Sequence, residues 1–554
     1  MGRVADYYKK YVDIGHDGEG VINSISFSCP ENFNFSYDII DKYAELEPDR
    51  RALIWTDVNG NERVFTFSDL SEYSGRTANL FLKSGIKKGD KIMLVLKRNY
   101  QYWFAVLGLA KIGAVAIPAT HMLTAKDYIY RFENAGVTGI VATGVNPEIL
   151  ENVDAANKEM GGVLKNRFVA NRGDVRKEGW VDFDAEIESQ PYFLDRIQTS
   201  DRDMMLLYFT SGTTGYPKMV SHSYRYALWH VQTATWHNIN PESIHLTVAD
   251  TGWAKAAWGK LYGQMILGAT VFVYDYDRFV PSEMLKIIEK YKVSSFCAPP
   301  TLFRFFIKEG LNGYDLYHLK YCTIAGEALN PEVYEQWLKQ TGIKLMEGFG
   351  QTEVTLLTAN FPGMNPKPGS MGKPTPMYKI DIVDENGISV PVGETGEIVV
   401  KAQYGDDGLF DGYYMNSEMT ENIWKNGIYH TGDTAWADED GYYWYVGRND
   451  DIIKSSGYRI GPFEVESVLI THPSVLECAV TGEPDPTRGQ VVKATVVLAK
   501  GYEASEELKK ELEEHVAANT APYKKPRFIE FVNELPKTIS GKIRRIDIRG
   551  KGKS

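Results

Sequence analysis

A chain of 554 residues is too long for one hydrophobic core, which stops growing at roughly 250–300 residues, so at least two domains are expected. Its composition, 43% hydrophobic and 24% charged, is ordinary for a globular protein. The formal net charge of -12 excludes a general attraction to nucleic acid or anionic lipid, so any polyanion site must be built from local basic residues.

Residues 1–200 alternate helical and strand signals. The opening MGRVADYYKKYVDIG lacks the apolar stretch of a signal peptide. SYDIIDKYAELEPDRRALIW reads as a helix, a Pro-Asp turn and a strand. The next stretch, TFSDLSEYSGRTANLFLKSGIKKGDKIMLVL, repeats that order and ends on a strand over residues 91–96. The longest apolar run, residues 102–122, is interrupted by Lys111 and punctuated by Gly113 and Pro118; it reads as a buried helix entering a buried strand, not an integral membrane segment. Residues 240–345 continue the alternation, with a helix over 282–291, short strands over 294–298 and 321–325, and a helix opened by Pro331. Such alternation argues a parallel α/β sheet whose ligands lie outside the carboxyl ends of its strands. After about 370, short strands with Asn-Gly and Gly-Glu turns suggest a small β subdomain. Beyond Gly447 a helix over 462–470, a strand over 491–498, a helix over 506–519 and a basic tail suggest a small α+β module. The four cysteines, Cys29, Cys297, Cys322 and Cys478, form no CxxC pair and no metal pattern, which points to a reduced cytoplasmic setting.

Five strings carry chemistry. YFTSGTTGYPKMV follows an apolar strand signal. Its Thr210, Ser211, Gly212, Thr213, Thr214 and Gly215 supply hydroxyls and a backbone free to turn its amides onto an anion, and Lys218 supplies a point charge. The common P-loop is excluded, because the lysine falls three residues past the second glycine and Met219 follows it. GFGQTE, residues 348–353, lets the backbone approach a ligand and ends in a carboxylate beside a hydroxyl, a pairing suited to magnesium or phosphate. YHTGD ends in Asp433, a carboxylate able to take both hydroxyls of a ribose. GRNDDIIKSSGYRIGPFEVE places Arg448 and Arg459 around Asp450 and Asp451, and PKTISGKIRR presents Lys542 after Gly541. Alone, each string also reads as a solvated turn or loop.

Taken in this order and with these spacings, the five strings resemble the adenylate-forming superfamily over nearly the whole chain. DTGWAKAAW, AGEAL, SSGYRIGPFEVE, PDPTRGQVVKA and TAPYKKPRFIEFV look like its medium-chain acyl-CoA synthetase branch. The resemblance implies an α/β fold: a large N-terminal domain (residues 1–449) of two α/β subdomains plus a small β subdomain, and a small mobile α+β C-terminal domain (450–554). It implies two half-reactions, in which a carboxylic acid is adenylated by ATP with Mg2+ and CoA then takes the acyl group. No nucleic acid partner is implied, and a homodimer stays open.

Carried over to this chain, the resemblance gives the 210–218 loop the β- and γ-phosphates. Gly326, Glu327 and Ala328, with Glu347, Gly348, Phe349, Gly350 and Gln351, would line the nucleotide. Thr352 would bind the α-phosphate, Glu353 would hold magnesium, and Asp433 with Arg448 would take the ribose. Lys542 would be the adenylation lysine, carried to and from the site by rotation about Asp450. Ser456, Gly457, Tyr458, Arg459, Arg488, Lys525 and Arg527, with His121 from the large domain, would meet CoA. Trp236, Lys255, Trp258, Cys297 and Gly350 would shape the acyl pocket. Gly350 stands where acetate-specific relatives carry tryptophan and so opens the pocket, unless the neighbouring tryptophans close it. The acid expected is a branched short-chain or a medium-chain fatty acid. An aryl (benzoate-type) ligase, an acetyl/propionyl-CoA synthetase and a peptide-synthetase adenylation domain are the alternatives within the class. Lys255, where a peptide synthetase needs an acid, disfavours the last. A luciferase-like oxygenase is disfavoured by the basic CoA-type residues. From another class, a non-catalytic nucleotide-binding protein predicts loss of Lys542, Thr352 or Asp433, and all three are present.

Overall fold

In the computed structural model, residues 3–171, 173, 175, 177–210, 217–327, 329–456, 458–537 and 543–550 are described. Two large sheets dominate. The first runs, in spatial order, Lys218–Ser223, Met204–Thr210, Val115–Pro118, Lys91–Val95, Val137–Thr143, Asn166–Ala170 and Val181–Asp182. It is parallel except for Lys218–Ser223, which turns back antiparallel on Met204–Thr210. The second sheet has nine strands with a parallel centre: Leu345–Gly350, Tyr321–Ile324, Ser295–Cys297, Ile244–Thr247, Thr270–Asp275 and Arg51–Asp57. The strand over residues 51–57 is early in sequence yet joins the later sheet.

Strand alternation sorts the core. Leu53, Trp55, Ile92, Leu94, Val271 and Val273 face one shared core, while Ile54, Met93, Val95, Phe272 and Tyr274 face the opposite sides of their sheets. The shared core holds the helices Gln101–Ile112 and Tyr226–Trp236. Every residue of Gln101–Ile112 is buried, as its apolar run predicts. Lys111 is tolerated there because its ammonium lies 2.8 Å from Asp41 Oδ1 and also donates to Ser71 O. Among the described residues no helix is long and apolar enough to cross a membrane.

The β subdomain is an antiparallel sheet of Ile380–Val383, Gly396–Val400, Ile428–Ala437 and Trp424–Lys425, with Tyr443–Arg448 on Ile428–Ala437. The last sheet has its own core, with the helices Pro462–Leu469 and Glu506–Asn519 packed on it. Its strands are Tyr458–Ile460, Ile453–Ser455, Gly489–Leu498, Val475–Asp485 and Phe528–Val532. The long hairpin strand Val475–Asp485 has no counterpart among the sequence expectations.

Candidate functional site

The phosphate-loop string straddles a hairpin. Thr210 ends one strand and Lys218 begins the next, and the two are paired in register. Ser211, Gly212, Thr213, Thr214 and Gly215 lie outside the described residues, as do Ala328, Gly457 and Lys542. The Lys218 ammonium donates to Tyr413 Oη at 3.4 Å, and Tyr413 donates to Glu353 Oε1 at 2.9 Å. Burial pushes the lysine below its ordinary pKa, against the pull of Glu353. The stem of the loop and the metal-candidate carboxylate thus meet through one phenol.

GFGQTE is part strand, part turn: Gly348, Phe349 and Gly350 extend Leu345–Gly350 and pair antiparallel with Leu356–Ala359, and residues 351–355 form the turn between the two strands. Gln351 is held on both ends, accepting from Tyr429 Oη at 2.8 Å and donating to Asp433 Oδ2 at 2.5 Å. Thr352 is fixed through its carbonyl, which accepts from His222 Nε2 at 2.8 Å. His222 is fully buried and stacked on Tyr226, and burial pushes its pKa down to about 3, so the ring is neutral.

Asp433 is buried inside the strand Ile428–Ala437. The Gly-Asp step is a bulge: the register slips opposite residues 397–399, and Gly432 takes a φ of +72°, which glycine adopts at low cost. The carboxylate faces outward from the bulge to Tyr445 Oη (3.1 Å) and Arg448 Nη1 (3.4 Å). Arg448 lies directly across the ladder from Asp433 and 3.8 Å from Asp450. Two chains therefore converge: Lys218–Tyr413–Glu353, and Tyr429–Gln351–Asp433–Arg448. Glu347, one strand position before Gly348, is buried; its Oε1 accepts from Leu329 N, and burial pushes its pKa up to about 8. Gly326 carries a positive φ beside the Lys255 ammonium, which donates to Ala325 O, while Glu327 turns aside to accept from Thr301 at 2.7 Å.

The acyl-pocket candidates Trp236, Trp258 and Cys297 are brought together in one apolar cluster with Ala325 and Leu356. The space that Gly350 leaves is occupied: a Cβ there would sit 2.6 Å from Trp258 Cη2 and 2.0 Å from Thr355 O.

The CoA candidates form a separate group. Ser456 donates its amide to Arg488 O at 2.9 Å, Tyr458 stacks on Tyr523 with centroids 4.1 Å apart, and Arg459 pairs with Glu385. Lys525 pairs with Glu513, and Arg527 N donates to Val492 O on the same sheet. Among the described residues no hydrogen bond or ion pair joins them to Lys218 or Glu353. His121 instead meets Asp250 at the junction of the two large sheets. Sequence reasoning missed His222, Tyr413, Tyr429 and Tyr445, whose only signal is a polar-tipped ring among buried neighbours.

For magnesium, the described residues hold no cluster of three or more ligating side chains. Glu353 alone, with the hydroxyl of Thr352 beside it, fits the habit of this ion, which takes one or two carboxylates and completes its shell with phosphate and water.

The family of AMP-binding enzymes matches residues 40–414, and the AMP-binding enzyme C-terminal domain matches residues 464–542. The mitochondrial acyl-coenzyme A synthetase ACSM3 of Mus musculus is 40% identical over 547 residues, covering 96% of this chain and 93% of that protein. The anthranilate CoA ligase AuaEII, solved in complex with anthranoyl-AMP, has a TM-score of 0.85 at 29% identity, over 95% of this chain and 98% of that one. The acyl-CoA synthetase of Brucella canis has a TM-score of 0.70 at 32% identity, over 94% of both chains. Motif order, fold and these matches agree that the chain belongs to the adenylate-forming family of AMP-binding enzymes, in its medium-chain acyl-CoA synthetase branch.

Proposed function

We propose that this chain is an AMP-forming acyl-CoA synthetase acting on a branched short-chain or medium-chain fatty acid. The observation that carries the reading is the convergence of Lys218, Glu353, Gln351, Asp433 and Arg448 through Tyr413 and Tyr429. It supplies a cation at a phosphate loop, a carboxylate for magnesium and an oriented carboxylate for ribose. In the first half-reaction a carboxylate oxygen bonds to the α-phosphorus of ATP and pyrophosphate leaves. Asp433, oriented by Tyr445 and Arg448, fixes the ribose, and Thr352, pinned by His222, presents its hydroxyl to the α-phosphate. Lys218 and the loop retain the departing phosphates. Glu353 would hold magnesium, which would neutralise triphosphate charge. Lys542 neutralises the two anions that must meet. In the second half-reaction the small domain turns about Asp450, withdrawing Lys542 and bringing Ser456, Gly457 and Tyr458 to the site, and CoA sulfur displaces AMP.

Trp258 over Gly350 favours a compact apolar acid over a long unbranched one. An aryl acid is the second reading, favoured by the likeness to an anthranilate ligase. The four free cysteines suit a reducing compartment, and we place the chain in the cytoplasm. A panel of acetate, propionate, 2-methylbutyrate, hexanoate, octanoate and benzoate, scored by CoA-dependent AMP release, tests the substrate class. Highest kcat/KM within the branched or medium-chain acids supports the reading; benzoate first overturns it.

A further inference from the structure

Where the two large sheets meet, the loop after Val115–Pro118 of one sheet touches the loop after Ile244–Thr247 of the other. The contact is a histidine–carboxylate pair. His121 Nδ1 lies 3.0 Å from Asp250 Oδ2, with the carboxylate buried and the imidazole 27% exposed. Asp250 is itself held, its Oδ1 accepting from Gly252 N at 2.7 Å. A carboxylate is acceptor-only, so Nδ1 is the donor, and the neutral ring keeps its lone pair on Nε2. Among the described residues no protein group is hydrogen-bonded to Nε2. This is the arrangement by which a carboxylate orients an imidazole as a base.

The segment that carries Asp250 also carries two of the acyl-pocket candidates. The segment that begins at Asp250 continues to Lys255, which donates to Ala325 O, and to Trp258, which covers Gly350. The cations around the pair are already engaged. Lys97 pairs with Asp275 and Asp277, Arg98 donates to Tyr276 O, and Lys260, pushed down to about 7 by burial, donates to Ala249 O. Asp277 is the second anion acting on His121. Adenylation, which needs cations beside two anions, has no use for such a base. Attack by a thiol does, because the sulfur must lose its proton.

Resting on the acyl-CoA synthetase reading, we propose that His121, oriented by Asp250, is the base that takes the thiol proton of CoA in the second half-reaction. The S–H proton passes to Nε2 and the sulfur electron pair forms the C–S bond. The acyl C–O bond to phosphate then breaks, and AMP departs with that electron pair. The imidazolium, balanced by Asp250, returns its proton to water.

The test uses the full chain in single turnover: acyl-adenylate is formed on the enzyme, CoA is added at saturation, and thioester is followed from pH 6 to 9. In His121→Ala and His121→Gln the thioester step at pH 7 falls by about 100-fold or more while pyrophosphate release holds. The deficit shrinks towards pH 9, as a thiol of pKa about 8.5 ionises unaided. Asp250→Asn, which stabilises the wrong tautomer, falls in the same direction. An unchanged rate at saturating CoA, a rise confined to the KM for CoA, or equal loss in both half-reactions overturns the assignment. The wild-type arm separates the two claims: adenylate without any thioester would refute the synthetase reading itself.

Discussion

At the residue scale, the chemistry depends on charges whose state the fold sets. Lys542→Ala is predicted to slow acyl-adenylate formation by about 100- to 1,000-fold, the usual loss when one electrostatic stabiliser is removed, while thioester formation from supplied adenylate continues. Rapid-quench assays of the separate steps check this; equal loss in both would remove Lys542 from its role. Glu347 offers a test independent of turnover. Its folded pKa of about 8 lies above the ordinary carboxyl value, so the folded state holds a proton that the unfolded chain releases between pH 4.5 and 8. Its contribution is therefore present in acid and is lost as pH rises through that window, by up to about 1.4 kcal/mol per unit. Glu347→Gln keeps the acceptor for Leu329 N, so its stability relative to wild type should rise from pH 5 to pH 8 in denaturant titrations. A difference independent of pH would contradict the buried neutral acid. Much of this layer was legible in sequence as strings, because glycine, threonine and acid residues recur in local order. The partners that orient them were not: Lys218 and Tyr413 are 195 positions apart, and nothing local marks that tyrosine as more than core.

At the element scale, helices and strands followed their local signals closely. The helix Glu506–Asn519 matches the sequence reading, and Pro331 opens Pro331–Thr341 behind the Asn330 cap as its position implies. The stretch after Asp250 folds as two short helices, Lys255–Lys260 and Tyr262–Ile266, broken at Leu261 by a φ of −142°. Register escaped sequence reasoning, since the bulge that turns Asp433 towards Arg448 depends on pairing with residues 397–399. The proposed hinge segment is held from both sides: Arg448 lies near the Asp450 carboxylate, while Arg549 donates to the Asp450 carbonyl and pairs with Asp451. The Asp450 amide makes no backbone hydrogen bond among the described residues, so proline removes none in this orientation. Asp450→Pro is accordingly predicted to spare adenylation and slow thioester formation by at least about tenfold, by locking φ where rotation must pass. Stopped-flow measurement of each half-reaction decides it, and an unslowed second step would place the hinge elsewhere.

At the scale of the whole molecule, two sheets share one core, and the loops that follow one strand of each meet at the His121–Asp250 contact. That core is rich in buried imidazole. Burial holds His222 and His245 down at about 3 and His230 and His237 well below the ordinary value. The unfolded chain binds protons on these rings below about pH 6.5 and the folded chain does not, so their stabilisation is present above that pH and is lost as pH falls through it. Four such rings outweigh the opposite trend of Glu347. Calorimetry should show Tm declining from about pH 6.5 downwards; a Tm level between pH 7.5 and 5 would contradict neutral burial.

The central claim, adenylation followed by acyl transfer to CoA, is tested most directly by product balance. With ATP, a short branched or medium-chain acid and CoA, the account predicts pyrophosphate, AMP and thioester in equal amounts. Omitting CoA should leave one equivalent of pyrophosphate per enzyme. Formation of ADP and orthophosphate, or AMP without thioester when CoA is present, would contradict it.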